Sequence, residues 1–228
     1  MIPVYIPIDQ GPLWFCLALG ATLLLSLLLE QIETRFVKNK ARKEQPFTML
    51  DLEFPADNED IARVRKDIAQ LDQARALQVH RAIRTHLILD YLFMVAAFGS
   101  VFLLCMQVAG KFPAGSVGQT GFALLAWAQL AALGCDMAEN AVLLRQIRKD
   151  PIKPMTPFAF KHFFRLVWAK WILVLAGLAL GLSIAGYFWL KGAYAPATLR
   201  YVGIVGIEFL AFFIVRALWK RGRKGGRS

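Results

Sequence analysis

Five stretches of this sequence, at about 13–30, 87–109, 120–144, 166–190 and 201–219, each run for about 20 residues with few charges. At about 1.5 Å of rise per residue, a helix of that length crosses a hydrocarbon core of about 30 Å. Such a core holds no water to satisfy peptide groups, so each run is expected to be a helix that closes its own hydrogen bonds. The mean hydropathy of +0.47 and the hydrophobic share of 57% follow from these runs. The expected fold is all-α: a bundle of five transmembrane helices forming a single membrane domain over residues 1–228, with a polar segment at 31–86 and a basic tail at 220–228.

A net charge of +11 raises nucleic acid as a partner, but the basic residues are not spread evenly. Of the 27, 22 fall between the first and second runs, between the third and fourth, and after the fifth. The alternate connections hold only Lys111, Lys191 and Arg200. Lys and Arg concentrate on the cytoplasmic face of membrane proteins. The pattern therefore predicts a multi-pass protein with the N-terminus outside and the C-terminus in the cytoplasm, and it accounts for the charge without nucleic acid. No basic residue precedes the first run, and Arg35, Lys38, Lys40, Arg42 and Lys43 follow it. That order is the reverse of a secretory signal peptide, so the first run is read as a retained anchor.

The cytoplasmic segment is the most structured of the connections by pattern. Pro55 and Asp57 open a helix, with Asp57, Glu59 and Asp60 at its positive end. Ile61, Val64, Ile68 and Leu71 then form one apolar stripe, and the helix is expected to run on towards the second span. The stripe is read as packing on the protein's own cytoplasmic helix ends or on headgroups, with a partner protein as the alternative. "PFTMLDLEF" (46–54) is read as an extended or turn segment. The tail "KRGRKGGRS", too polar to fold alone, is expected to meet anionic lipids of the bilayer. Gly177 and Gly181 lie four apart on the fourth run and permit close helix approach, within the bundle or in a homodimer. Cys16, Cys105 and Cys135 have no metal-binding spacing and are read as small hydrophobes, although Cys16 and Cys105 share a depth at which a disulfide can be drawn.

The unusual chemistry lies in "LGCDMAENAVLL" (133–144). Asp136, Glu139 and Asn140, spaced i, i+3 and i+4, share one helix face, and Gln129 extends it. Glu139 falls about 9 Å, and Asp136 about 13 Å, inside the cytoplasmic boundary of its span. Asp90 on the second span, Lys170 on the fourth and Arg216 on the fifth reach comparable depths, with His86 and Tyr91 beside Asp90. An ionised side chain at a span centre costs about 2.5–3.5 kcal/mol on insertion scales, so these groups are expected to face inward and pair. Asp136 and Glu139 are the expected acceptors of Lys170, with Asp90 and Asn140 completing the network. The carboxyls Asp90, Asp136, Glu139 and Glu208 outnumber the cations Lys170 and Arg216. Hydrogen bonds from Asn140, Gln129, His86 and Tyr91, water, or a retained proton would balance the surplus.

Three roles fit this layer: an ionic network that fixes helix register in a structural or interaction protein, a path for proton-linked movement of a small solute, or a lipid-active enzyme. His86, Asp90 and His162 allow a metal site to be drawn, but the Lys170 ammonium can supply the positive charge that a metal would. No cofactor or metal is therefore assigned. The sequence has no HExxH, GxSxG or P-loop, which weighs against catalysis and leaves it open. Taken in order, "MLDLEF" (49–54), "LDYLF" (89–93), "DMAEN" (136–140) and Lys170 in "AKW" resemble a family of bacterial multi-span inner-membrane proteins with no established activity. The resemblance implies a helical inner-membrane protein and no substrate.

Overall fold

The computed structural model describes residues 5–8, 10–40, 43–148 and 152–225, side chains at 40 and 221–225 excepted. Among the described residues five helices are long and apolar enough to cross a membrane: α1 (Gly11–Glu33), α4 (Gln73–Ala109), α5 (Val117–Arg148), α6 (Pro157–Leu190) and α7 (Leu199–Gly225). Between α1 and α4 lie a hairpin of β1 (Val37–Lys40) and β2 (Lys43–Pro46), the single turn α2 (Leu50–Glu53) and α3 (Asp60–Ala69). Large apolar side chains such as Leu92, Ile172, Ile207 and Leu210 are exposed, as lipid-facing residues should be.

Local signals set the helix ends. Ser116 Oγ accepts the Gln119 N–H at 3.2 Å while Gln119 Oε1 accepts from Gly115 N at 2.8 Å, a reciprocal cap before α5. Thr156 Oγ1 accepts from Ala159 N at 3.2 Å, and Pro157 occupies the first position of α6, where its missing N–H costs nothing. At the far end of α6, Gly192 takes φ +68° and the Ala193 N–H returns to Phe188 O at 3.0 Å, closing the helix in a left-handed cap.

The chain divides into two compact units. The apolar unit comprises Met1–Leu27, Phe93–Leu130 and Leu173–Ser228. Its packing depends on small residues. A Cβ at Gly177 would meet Val101 Cγ1 at 2.9 Å and the Gln129 amide closer still, and one at Gly181 would meet Leu104 Cδ2 at 2.9 Å. The glycine pair thus serves contacts of α6 with α4 and α5 in one chain. Cys16 and Cys105 are free thiols, directed at Tyr201 O (3.8 Å) and Gly177 O (3.6 Å). The tail, too polar to fold alone, extends α7 in helical form to Gly225; continuing the helix satisfies peptide groups that would otherwise need water. Residues 226–228, the end of the proposed lipid-binding tail, lie outside the described residues.

The charged unit comprises Leu28–Leu92 and Ala131–Ile172. The α3 stripe of Ile61, Val64 and Ile68 is buried with Phe36, Phe47, Met49 and Leu52 against Val79, Ile83 and Leu87 of α4, Leu143 of α5 and Phe163 and Val167 of α6. The stripe thus packs on the chain's own helices. Residues 50–53 take the turn form of the expected extended or turn segment, and Asp51 accepts the Thr48 N–H at 2.7 Å. One expectation is corrected here. The helix from Asp60 does not run into the second span: it stops at Ala69, and Asp72 restarts the chain by accepting the Arg75 N–H at 3.0 Å. Asn58 and Met155 exchange two hydrogen bonds of 3.0 Å and tie the segment to the start of α6.

Candidate functional site

Lys170 lies on α6 and is 4% exposed. Its Nζ is 2.6 Å from Asp136 Oδ1 and 2.7 Å from Glu139 Oε2, both on α5, and 3.3 Å from Glu53 Oε2 at the end of α2. Asp136 is 7% exposed and Glu139 is fully enclosed. The α5 pair arises from helical spacing, because residues three apart project from one face. Trp171 places its ring 5.9 Å from the same ammonium. One cation therefore holds three carboxylates, two from a long helix and one from the segment between α1 and α4.

A second pair flanks this centre. Asn140 Nδ2 donates to Asp90 Oδ2 at 2.7 Å, joining α5 to α4. His86 Nε2 lies 3.5 Å from Glu33 Oε1, which also accepts the Met49 N–H at 3.0 Å, and its ring tilts against Phe36 at 5.5 Å. Tyr91 donates to the Met137 carbonyl at 3.5 Å. Gln129 is fully buried and donates to Leu125 O (3.2 Å) and Leu173 O (3.0 Å). Glu208 sits beside Gly20, and the Arg216 guanidinium lies 6.0 Å from the Phe212 ring. Exposed His162 packs on Phe158 at 4.3 Å, and no cluster of metal-binding side chains occurs among the described residues.

Glu53 and Glu33 are the functional candidates that sequence reasoning misses. The signal for Glu53 is an acid within "MLDLEF", where Leu52 and Met49 are core residues. Burial pushes the Glu53 carboxyl above its ordinary range; Lys170 pulls it down, and Asp136 and Asp90 push in the same sense as burial. The cluster carries more potential negative charge than one ammonium cancels. It is also enclosed: Lys170, Asp136 and Glu139 are all buried.

Five lipid-compatible helices and this enclosed centre define the class: a multi-span helical membrane protein with a buried intramembrane charge cluster. No protein-family model, curated protein or solved structure matches the chain.

Proposed function

We propose that the protein is a non-catalytic structural or interaction protein of a bacterial inner membrane, its N-terminus outside and its C-terminus in the cytoplasm. Its Lys170 cluster locks a cytoplasmic cap onto the membrane helices. The observation that carries this reading is the enclosure of Lys170 by Asp136, Glu139 and Glu53, with Glu139 fully buried. A route for solute needs water or substrate at the charged groups, whereas a lock needs them sealed and paired with a cation. The cap supplies one of the three acids itself, so its docking and the neutralisation of Lys170 are one event. The positive-inside asymmetry supports the orientation, and the resemblance of "LDYLF", "DMAEN" and Lys170 to bacterial inner-membrane proteins supports the location. On this reading, interaction with other proteins uses the cap's polar outer face, since its apolar stripe is occupied internally.

The excess of carboxyls over ammonium, and the upward push on Glu53, favour a second reading: proton-linked movement of a small solute. Proteoliposomes carrying a trapped pH dye separate the two. The lock predicts no acid-driven flux above protein-free vesicles, and an Asp136→Asn chain that melts at lower temperature. Flux in the wild type that vanishes in a folded Asp136→Asn chain establishes transport and removes the lock as the main function. Turnover of added phospholipid that Glu139→Gln abolishes would instead make the protein an enzyme.

A further inference from the structure

The apolar unit contains a cavity of about 480 Å³ that the charge cluster does not touch. It is bounded by Phe15 of α1, Leu104 and Gln107 of α4, Gly186 of α6, and Tyr194 and Tyr201 from the chain leading into and along α7. Its size falls in the range of about 300–1,000 Å³ that holds small ligands, and its walls combine a long apolar interior with a few polar groups. Three observations bear on what fills it. Gln107 lines the cavity, and its Nε2 finds no hydrogen-bond partner among the described residues. Gly186 lines it too, and a Cβ there would meet no atom within 4 Å, so the wall stands back from the space. Two cations flank it. Lys111 Nζ lies 4.3 Å from the Tyr194 ring centroid while donating to Ala193 O at 3.0 Å. Arg200 lies 4.8 Å from the Tyr201 ring centroid and donates to the Tyr201 hydroxyl at 3.0 Å. No carboxylate lines the cavity among the described residues.

We propose that this cavity binds one anionic membrane lipid, with an acyl chain in the apolar interior and the acidic headgroup between Lys111 and Arg200. An apolar wall alone would accept any hydrocarbon; the two cations choose the sign of the headgroup. They are two of only three basic residues in the connections on that side of the chain's charge pattern, and both stand at tyrosines of this one cavity. A lipid oxygen, met by rotation of the terminal amide, supplies the acceptor that Gln107 lacks.

Native mass spectrometry of the full chain in mild detergent tests this, with phosphatidylglycerol and phosphatidylcholine of identical acyl chains as probes. The expected result is saturable uptake of one phosphatidylglycerol, preferred about tenfold over phosphatidylcholine. Gly186→Leu fills the cavity and should weaken that uptake about tenfold without lowering the lipid-free melting temperature. Lys111→Gln combined with Arg200→Gln should equalise the two lipids. Equal uptake of both lipids by the wild type overturns the anionic headgroup, and unchanged uptake by Gly186→Leu overturns the cavity. Should Gly186→Leu not fold, Gln107→Leu takes its place, with weaker uptake expected and unchanged uptake overturning the proposal. A dimer without lipid that Gly186→Leu dissociates would assign the space to a second copy of the chain and equally overturn it.

Discussion

The two units of this chain treat buried polar groups in opposite ways. In the apolar unit the buried polar side chains Gln129 and Cys105 are neutral and directed at backbone carbonyls of helices already close by. In the charged unit the buried groups, Asn140 excepted, are ionisable, and they bond to one another across α2, α4, α5 and α6. Backbone carbonyls in a helix are satisfied whether or not a side chain also bonds to them, so the apolar unit tolerates loss of any one such contact. A carboxylate facing Lys170 has no such reserve. The comparison teaches that close approach at Gly177 and Gly181 assembles one unit, while charge neutralisation assembles the other.

The largest effect should break the charged side of that contrast. Lys170→Met strands Asp136, Glu139 and Glu53 without their cation and should cost about 3–5 kcal/mol in unfolding measured in detergent. Gly177→Val probes the apolar side: its added methyls meet Val101 and Gln129, and overpacking there should cost about 1–3 kcal/mol by the same assay. Gln129→Leu sharpens the contrast, because it removes a neutral donor while Leu125 O stays within its helix; a loss of about 0.5–1.5 kcal/mol is expected. A loss as large as that of Lys170→Met would erase the difference between the units.

The smallest effect is set at the rim of the cap. The Arg63 guanidinium, 2.9 Å from Asp57, and the Glu59 N–H hold the Asp57 carboxyl below its ordinary value of 3.8. A depressed acid stabilises the folded state above its unfolded pKa, and that contribution disappears as pH falls through the folded value. The pair is exposed, so Asp57→Asn should lower stability slightly at neutral pH, and the difference from the wild type should close under strongly acidic conditions. A difference that persists or grows there would contradict the assignment.

Much of this organisation can be read from residue order. The five apolar runs locate the long helices because length and hydropathy alone decide what can cross a membrane. The i, i+3 spacing of Asp136 and Glu139, with Lys170 at matching depth, identifies three of the four groups at the centre. Glu53 escapes because its position depends on how the 31–72 segment folds back, a tertiary event that no helical period encodes. The hairpin at 37–46 is equally hidden: "VKNK" and "KEQP" show no apolar alternation, and pairing there is fixed by Phe36 stacking on Phe47 at 5.3 Å. The break before α4 rests on Asp72 as a cap within a pattern that otherwise continues as a helix.

The central claim, that acids from separate elements converge on one sealed ammonium, is tested most directly by a double-mutant cycle. Unfolding would be measured for Lys170→Met, Glu139→Gln and the pair together. The account predicts that the double variant loses less than the two single losses combined, by about 1–3 kcal/mol, because removing either partner already destroys their interaction. Losses that add to within about 0.5 kcal/mol would contradict it.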